Sequence, residues 1–173
     1  MSALTVTQFK AAVWNFISSQ VVSLIPSGQV IWMEQGSPRP KLSYVGLKII
    51  TGPRTYGNDD MRQTTSPGVY SIEGQRALTI SVNVFGRDAE QIAALIINGM
   101  CKPSTIDSLT RDSIAILTNT SPQNVSVPLE TIFENRVQFD IDFGCVMAVL
   151  DDVGIIEHTG ILNTTSGERT QIG

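Results

Sequence analysis

The sequence predicts an α+β fold: a mostly antiparallel β-sheet with N-terminal and central helices packed on one face, and one long hairpin loop. Three observations carry this. Val137, Phe139, Ile141, Phe143 and Cys145 alternate with Arg136, Gln138, Asp140, Asp142 and Gly144, and Leu78, Ile80, Val82 and Val84 alternate with Thr79, Ser81 and Asn83. A period of two leaves one strand face apolar and the other polar. Two other segments repeat their apolar residues every three to four positions, as helices do. Finally, the order helix, strands, two helices, strands suits helices gathered on one face of an antiparallel sheet. With 173 residues, the chain is read as one domain over 1–173 with enough length for a substantial core.

From the N-terminus, residues 5–25 form the first expected helix. Phe9, Ala12, Val13, Phe16, Ile17, Val21 and Leu24 make its apolar stripe, Thr5 with Gln8 its capping box, and Pro26 with Gly28 its end. Residues 29–35 (QVIWMEQ) have the β-branched and aromatic content of a short strand. The two prolines of 36–40 (GSPRP) then interrupt the ladder, and 42–51 resumes it. Residues 52–68 (GPRTYGNDDMRQTTSPG) are rich in Gly, Pro, Asn and Asp and read as a long excursion between strands. A strand follows over 69–86, in which EGQR is either a bulge or a tight turn.

The second helix is expected over 87–101, capped by Asp88 with Gln91 and carrying Ile92, Leu95, Ile96 and Met100 on its stripe. A short third helix over 103–113, a strand over 114–121 and a polar linker lead to the long strand ending near Leu150. Residues 151–154 (DDVG) read as a turn and 155–162 (IIEHTGIL) as a strand pairing back. The tail over 163–173 has no apolar period and is expected to fray.

Composition narrows the function. Apolar residues make up 42% of the chain and charged residues 16%, against roughly 25% charged in an average globular protein. A polar but nearly neutral surface is cheap to desolvate against a protein partner. The net charge of −4, without any basic run, argues against general binding to nucleic-acid phosphates. Cys101 and Cys145 are expected as reduced thiols of a protein made in the cytosol. No stretch reaches the apolar length of a membrane span.

The chemistry of catalysis is sparse. Asp140 and Asp142 share a strand face about 7 Å apart, a spacing open to paired carboxylates or part of a metal site. Exposed acids on the solvent face of an antiparallel strand are, however, the ordinary result of alternation. His158 is the only histidine, and no G-x-S-x-G, H-E-x-x-H, paired C-x-x-C, G-x-G-x-x-G or Gly-Lys-Ser/Thr phosphate loop accompanies it. No catalytic residue, metal or cofactor is therefore expected. Arg54, Tyr56, Asp59, Asp60, Met61 and Arg62 lie instead in the polar excursion, and Arg, Tyr and Met are enriched at protein interfaces. These six are the expected interface with a protein partner. Arg136, Gln138, Asp140 and Asp142 are the expected polar strand face.

Three stretches carry a resemblance: VIWMEQGSPRPKLSYVGLKI, QRALTISVNVFGRDAEQIAALI and ENRVQFDIDFGCVMAVLDDVGIIEHTGIL. The order of Trp32, Glu34 and Gln35, then Pro38 and Pro40, then Gln75 and Arg76, then Phe85 and Gly86 resembles the neck or tail terminator proteins of tailed bacteriophages. Arg136, Phe139, Asp140, Ile141 and Phe143, followed by Asp152, Gly154, Ile156 and Glu157, complete the pattern. The likeness spans roughly residues 5–162. It implies a structural virion protein without enzymatic activity, assembled in the host cytoplasm into a ring that is usually a hexamer. Its implied partners are further copies of itself, the tail-tube protein and the head-completion or connector protein, with the sheath as a further candidate. Such a ring halts tube growth, and DNA passes through it without specific binding; the resemblance would make Arg54 to Arg62 a subunit or ring interface and turn the polar strand face to a neighbour or a channel. A tail-tube or head-completion ring protein is the near alternative. A metal-dependent hydrolase using Asp140, Asp142 and His158, or a small monomeric ligand-binding domain, are the alternatives from other classes.

Overall fold

The structure, a computed structural model, describes residues 4–34, 36, 38–129, 132–155, 159–162 and 169–172. In chain order its elements are α1 (Val6–Val21), β1 (Val30–Trp32), β2 (Tyr44–Thr55), β3 (Asp60–Gln63), β4 (Val69–Phe85), α2 (Ala89–Met100) and α3 (Pro103–Arg111). There follow β5 (Ile114–Asn119), β6 (Gln123–Asn124), β7 (Val127–Leu129), β8 (Ile132–Glu134), β9 (Arg136–Asp152), β10 (Thr159–Leu162) and β11 (Arg169–Ile172). The fold is α+β. The main sheet runs β1-β2-β4-β9-β5, with β3 paired to β4 and β6 to β9; β1 joins β2 in parallel and every other pairing is antiparallel.

Alternation decides what the helices cover. Val45, Leu47, Leu78, Ile80, Val82, Val84, Val137, Phe139, Ile141 and Phe143 lie on one sheet face and are buried against Phe9, Val13, Phe16 and Ile17 of α1 and Ile92, Ala93 and Ile96 of α2. Phe9 meets Phe143 edge to face, ring centroids 5.7 Å apart. Thr5 caps α1 as its sequence requires: its Oγ1 accepts from the Gln8 N–H, and Gln8 Oε1 accepts from the Thr5 N–H. The helix ends at Val21, so Leu24 falls outside it and is exposed. Asp88 makes no side-chain cap bond to α2; Pro103 stands at the start of α3, where its missing N–H costs nothing.

The largest departure concerns residues 52–68. They are not a loop between strands. β2 continues to Thr55, absorbing Gly52 and Pro53 as an irregularity between Thr51, opposite Thr79, and Arg54, opposite Ala77. β3 then pairs with Glu73 to Tyr70, so the turn at 64–68 closes a long hairpin with β4. EGQR is neither a turn nor a bulge in β4, because β4 and β9 pair without a break from Val69 opposite Asp152 to Phe85 opposite Arg136. Two C-terminal expectations also change. Asp151 and Asp152 complete β9 rather than a turn, held by Tyr70 and Val69 of the partner strand. β10 pairs with β11 of the tail, not with β9, so 169–172 is a strand. Ile156, Glu157 and His158 lie outside the described residues.

Candidate interaction surface

β2, β4 and β9 outrun the helices that cover them. Beyond Arg76 and Cys145 the sheet continues as an arm made of β3, Val69–Gln75 of β4 and Val146–Asp152 of β9. Its register places Met61, Ile72 and Val149 side by side on the helix side of the sheet, and Arg62, Ser71 and Leu150 on the other. Met61 is 65% exposed, Val149 61% and Leu150 69%. Tyr56, Val146, Val153 and Ile155 are exposed as well. Exposed apolar side chains on both faces of the sheet make the arm the candidate interaction surface.

Charge pairs fix the arm to the covered sheet. Arg76 grips Asp59 through both guanidinium ends, Nη1 to Oδ1 at 2.6 Å and Nη2 to Oδ2 at 2.9 Å. The hydrogen bond from Arg76 lowers the Asp59 pKa from its ordinary carboxylate value, against an opposing effect of desolvation. Gly74 lies under this clamp; a Cβ there would collide with Asp59 and Arg76. The Tyr56 N–H donates to the Gln75 carbonyl at 2.9 Å, while Asp60 pairs with Arg62 within β3. At the tip, Gly68 has φ 76 and its carbonyl accepts from the Val153 N–H; a Cβ would strike the Gly154 backbone, so only glycine fits.

The polar strand face of the covered half is a side-chain ladder. Arg136 donates through Nη2 and Nε to Asn83 Oδ1 at 2.6 and 3.2 Å, and Gln138 Nε2 donates to Ser81 Oγ at 3.2 Å. Asn83 is 3% exposed and Ser81 2%. Phe85 stacks on Tyr44 at 4.5 Å, with Arg39 and Arg136 over its ring and Arg39 paired to Glu134. Asp142 accepts from Thr79 Oγ1 at 2.6 Å and faces Arg54 at 3.9 Å. The Asp140 N–H donates to Thr120 Oγ1.

The two groups of residues singled out from the sequence thus meet at one point, Arg54 with Asp142. The rest divide: Asp59 and Met61 stand on the helix side, Asp60, Arg62, Arg136, Gln138, Asp140 and Asp142 on the other. The face is charge-balanced rather than acidic, because Arg54 and Arg136 stand among the aspartates. Among the described residues no three His, Cys, Asp or Glu side chains converge as a metal site. Sequence reasoning put Thr79, Ser81 and Asn83 on the polar side of their strand but did not join them to Asp142, Gln138 and Arg136, and it missed Arg39. The polar positions of the β4 alternation were the signal for the first three.

A family model for phage neck terminator proteins matches residues 8–168 of the chain. The chain belongs to that family. This neck terminator is accordingly a structural protein of the phage neck, where it meets other head and tail proteins. No curated protein matches it in sequence. One solved structure aligns with 82% of the neck terminator and 96% of its own chain, at 16% identity and a TM-score of 0.46.

Proposed function

We propose that this neck terminator forms a ring, six copies around, that seats on the last ring of the tail tube, ends tube growth and presents its opposite side to the head connector. The observation that carries this reading is the uncovered arm. A sheet whose strands expose Met61, Val149 and Leu150 on both faces is built to be covered by something other than its own helices. The low charge of the chain supports large protein contacts, since little charge must be desolvated. The function follows from shape: a closed ring uses up its lateral surfaces and leaves one side that a further tube subunit cannot extend. The balanced polar face, with Arg54 and Arg136 interleaved among Asp140 and Asp142, would let DNA pass without gripping it.

Electron microscopy and light scattering of the purified full chain test this. Single closed rings of fixed radius are expected, together with binding to the ends of preformed tubes. Open-ended filaments would instead identify a tube protein and overturn the capping role.

A further inference from the structure

Among the strand edges and recesses left unfilled by the described residues, two edges and one recess match one another. β5 is hydrogen-bonded to β9 on one side, and β3 to β4 on one side; no described strand takes the other edge of either. Beside β5 lies a groove of about 420 Å³ between that strand, the end of α2 and α3, with Met100, Cys101, Ile106, Leu109, Ile116 and Thr118 in its wall. No charged side chain lines it, and no residue of the arm does. Ile106 at its rim is 52% exposed.

β3 has the matching properties. It is four residues long, shorter than the six of β5. Met61 projects from the helix side of the sheet, the side on which the groove opens, and an unbranched thioether fills irregular recesses. Asp60 and Arg62 point the other way and neutralise each other, so no unpaired charge would be stranded in the contact.

We propose that β3 of one copy adds to the free edge of β5 in the next copy and inserts Met61 into the groove beside α3. Main-chain hydrogen bonds along the two edges supply the affinity, and the side-chain recess sets register. The contact joins two different patches, which is the head-to-tail geometry that closes a ring. It also covers two edges that would otherwise invite uncontrolled pairing. The inference rests on the ring reading above and names the surfaces that would build it.

The test uses Met61→Cys in the full chain, with native Cys101 in the groove wall as the second thiol; Cys145 is buried. Rings treated with a short bismaleimide should give a covalent ladder up to the full ring, mapped to residues 61 and 101. The ladder should vanish in the Met61→Cys/Cys101→Ser chain. Should Met61→Cys itself block assembly, Gln63→Cys on the same face of β3 carries the probe. Ile106→Asp should remove rings and leave the melting temperature unchanged. Rings that link only 61 to 61, that give no 61–101 product, or that survive Ile106→Asp overturn the docking while the ring reading stands. A chain that stays monomeric at high concentration overturns both.

Discussion

β4 and β9 run side by side for seventeen residues, yet their two halves live under different rules. From Leu78 to Val84 and from Arg136 to Cys145, apolar side chains point to the helices and polar ones to a hydrogen-bonded ladder. Past Gln75 and Val146 the helices are gone, and β9 abandons alternation: Val146, Met147, Ala148, Val149 and Leu150 are apolar in succession. A run of that kind is normal for a strand covered on both faces. Here Met147 still packs against the core while Val149 and Leu150 stand exposed on opposite faces, so the packing that stabilises the sheet lies in one half of the ladder and its exposed apolar residues in the other.

The sharpest way to break the contrast is a pair of truncations. Phe143→Ala removes a fully buried ring packed on Phe9 and should cost about 3–5 kcal/mol, read as loss of the cooperative melt. Leu150→Ser on the arm should change stability by less than about 0.5 kcal/mol and abolish ring formation instead. Equal losses of stability in the two variants would erase the distinction. A smaller effect belongs to the polar ladder. Asn83→Ala deprives Arg136 of its main acceptor and should cost about 1–3 kcal/mol by denaturant titration, with the arm unaffected.

The smallest effect concerns the junction. Because the folded state lowers the Asp59 pKa below its ordinary 3.8, the clamp contributes fully above that value and is lost as pH falls through the folded one. The exchange protection of the Tyr56 amide and of β3, taken relative to the intrinsic rate, should therefore fall in acid below about pH 4. Asp59→Asn should show fast exchange already at neutral pH and no such acid step. An acid step that persists in the variant would assign it to another group.

What was readable from residues alone follows the same boundary. The capping box of α1 and the alternations of 78–84 and 137–145 are local, and each appeared where its period placed it. Residues 52–68 carry turn-forming composition, yet β3 exists because β4 offers it a template and Arg76 pins Asp59 across seventeen positions. Propensity yields to pairing there. Arg54 meets Asp142 over a separation no local pattern records, and Asp88 failed as a cap because its backbone does not aim the carboxylate at the helix. The tail strand β11 has no apolar period either; pairing with β10 supplies its order.

The unbroken pairing of β4 with β9 has a mechanical meaning. Seventeen residues at about 3.3 Å each make a beam about 56 Å long, with no hinge where the arm leaves the helices. A pull along its axis loads all the cross-strand bonds at once rather than peeling them singly. A push at the tip near Gly68 is carried as a tilt of the whole sheet, which acts as a stiff lever between whatever holds its two ends.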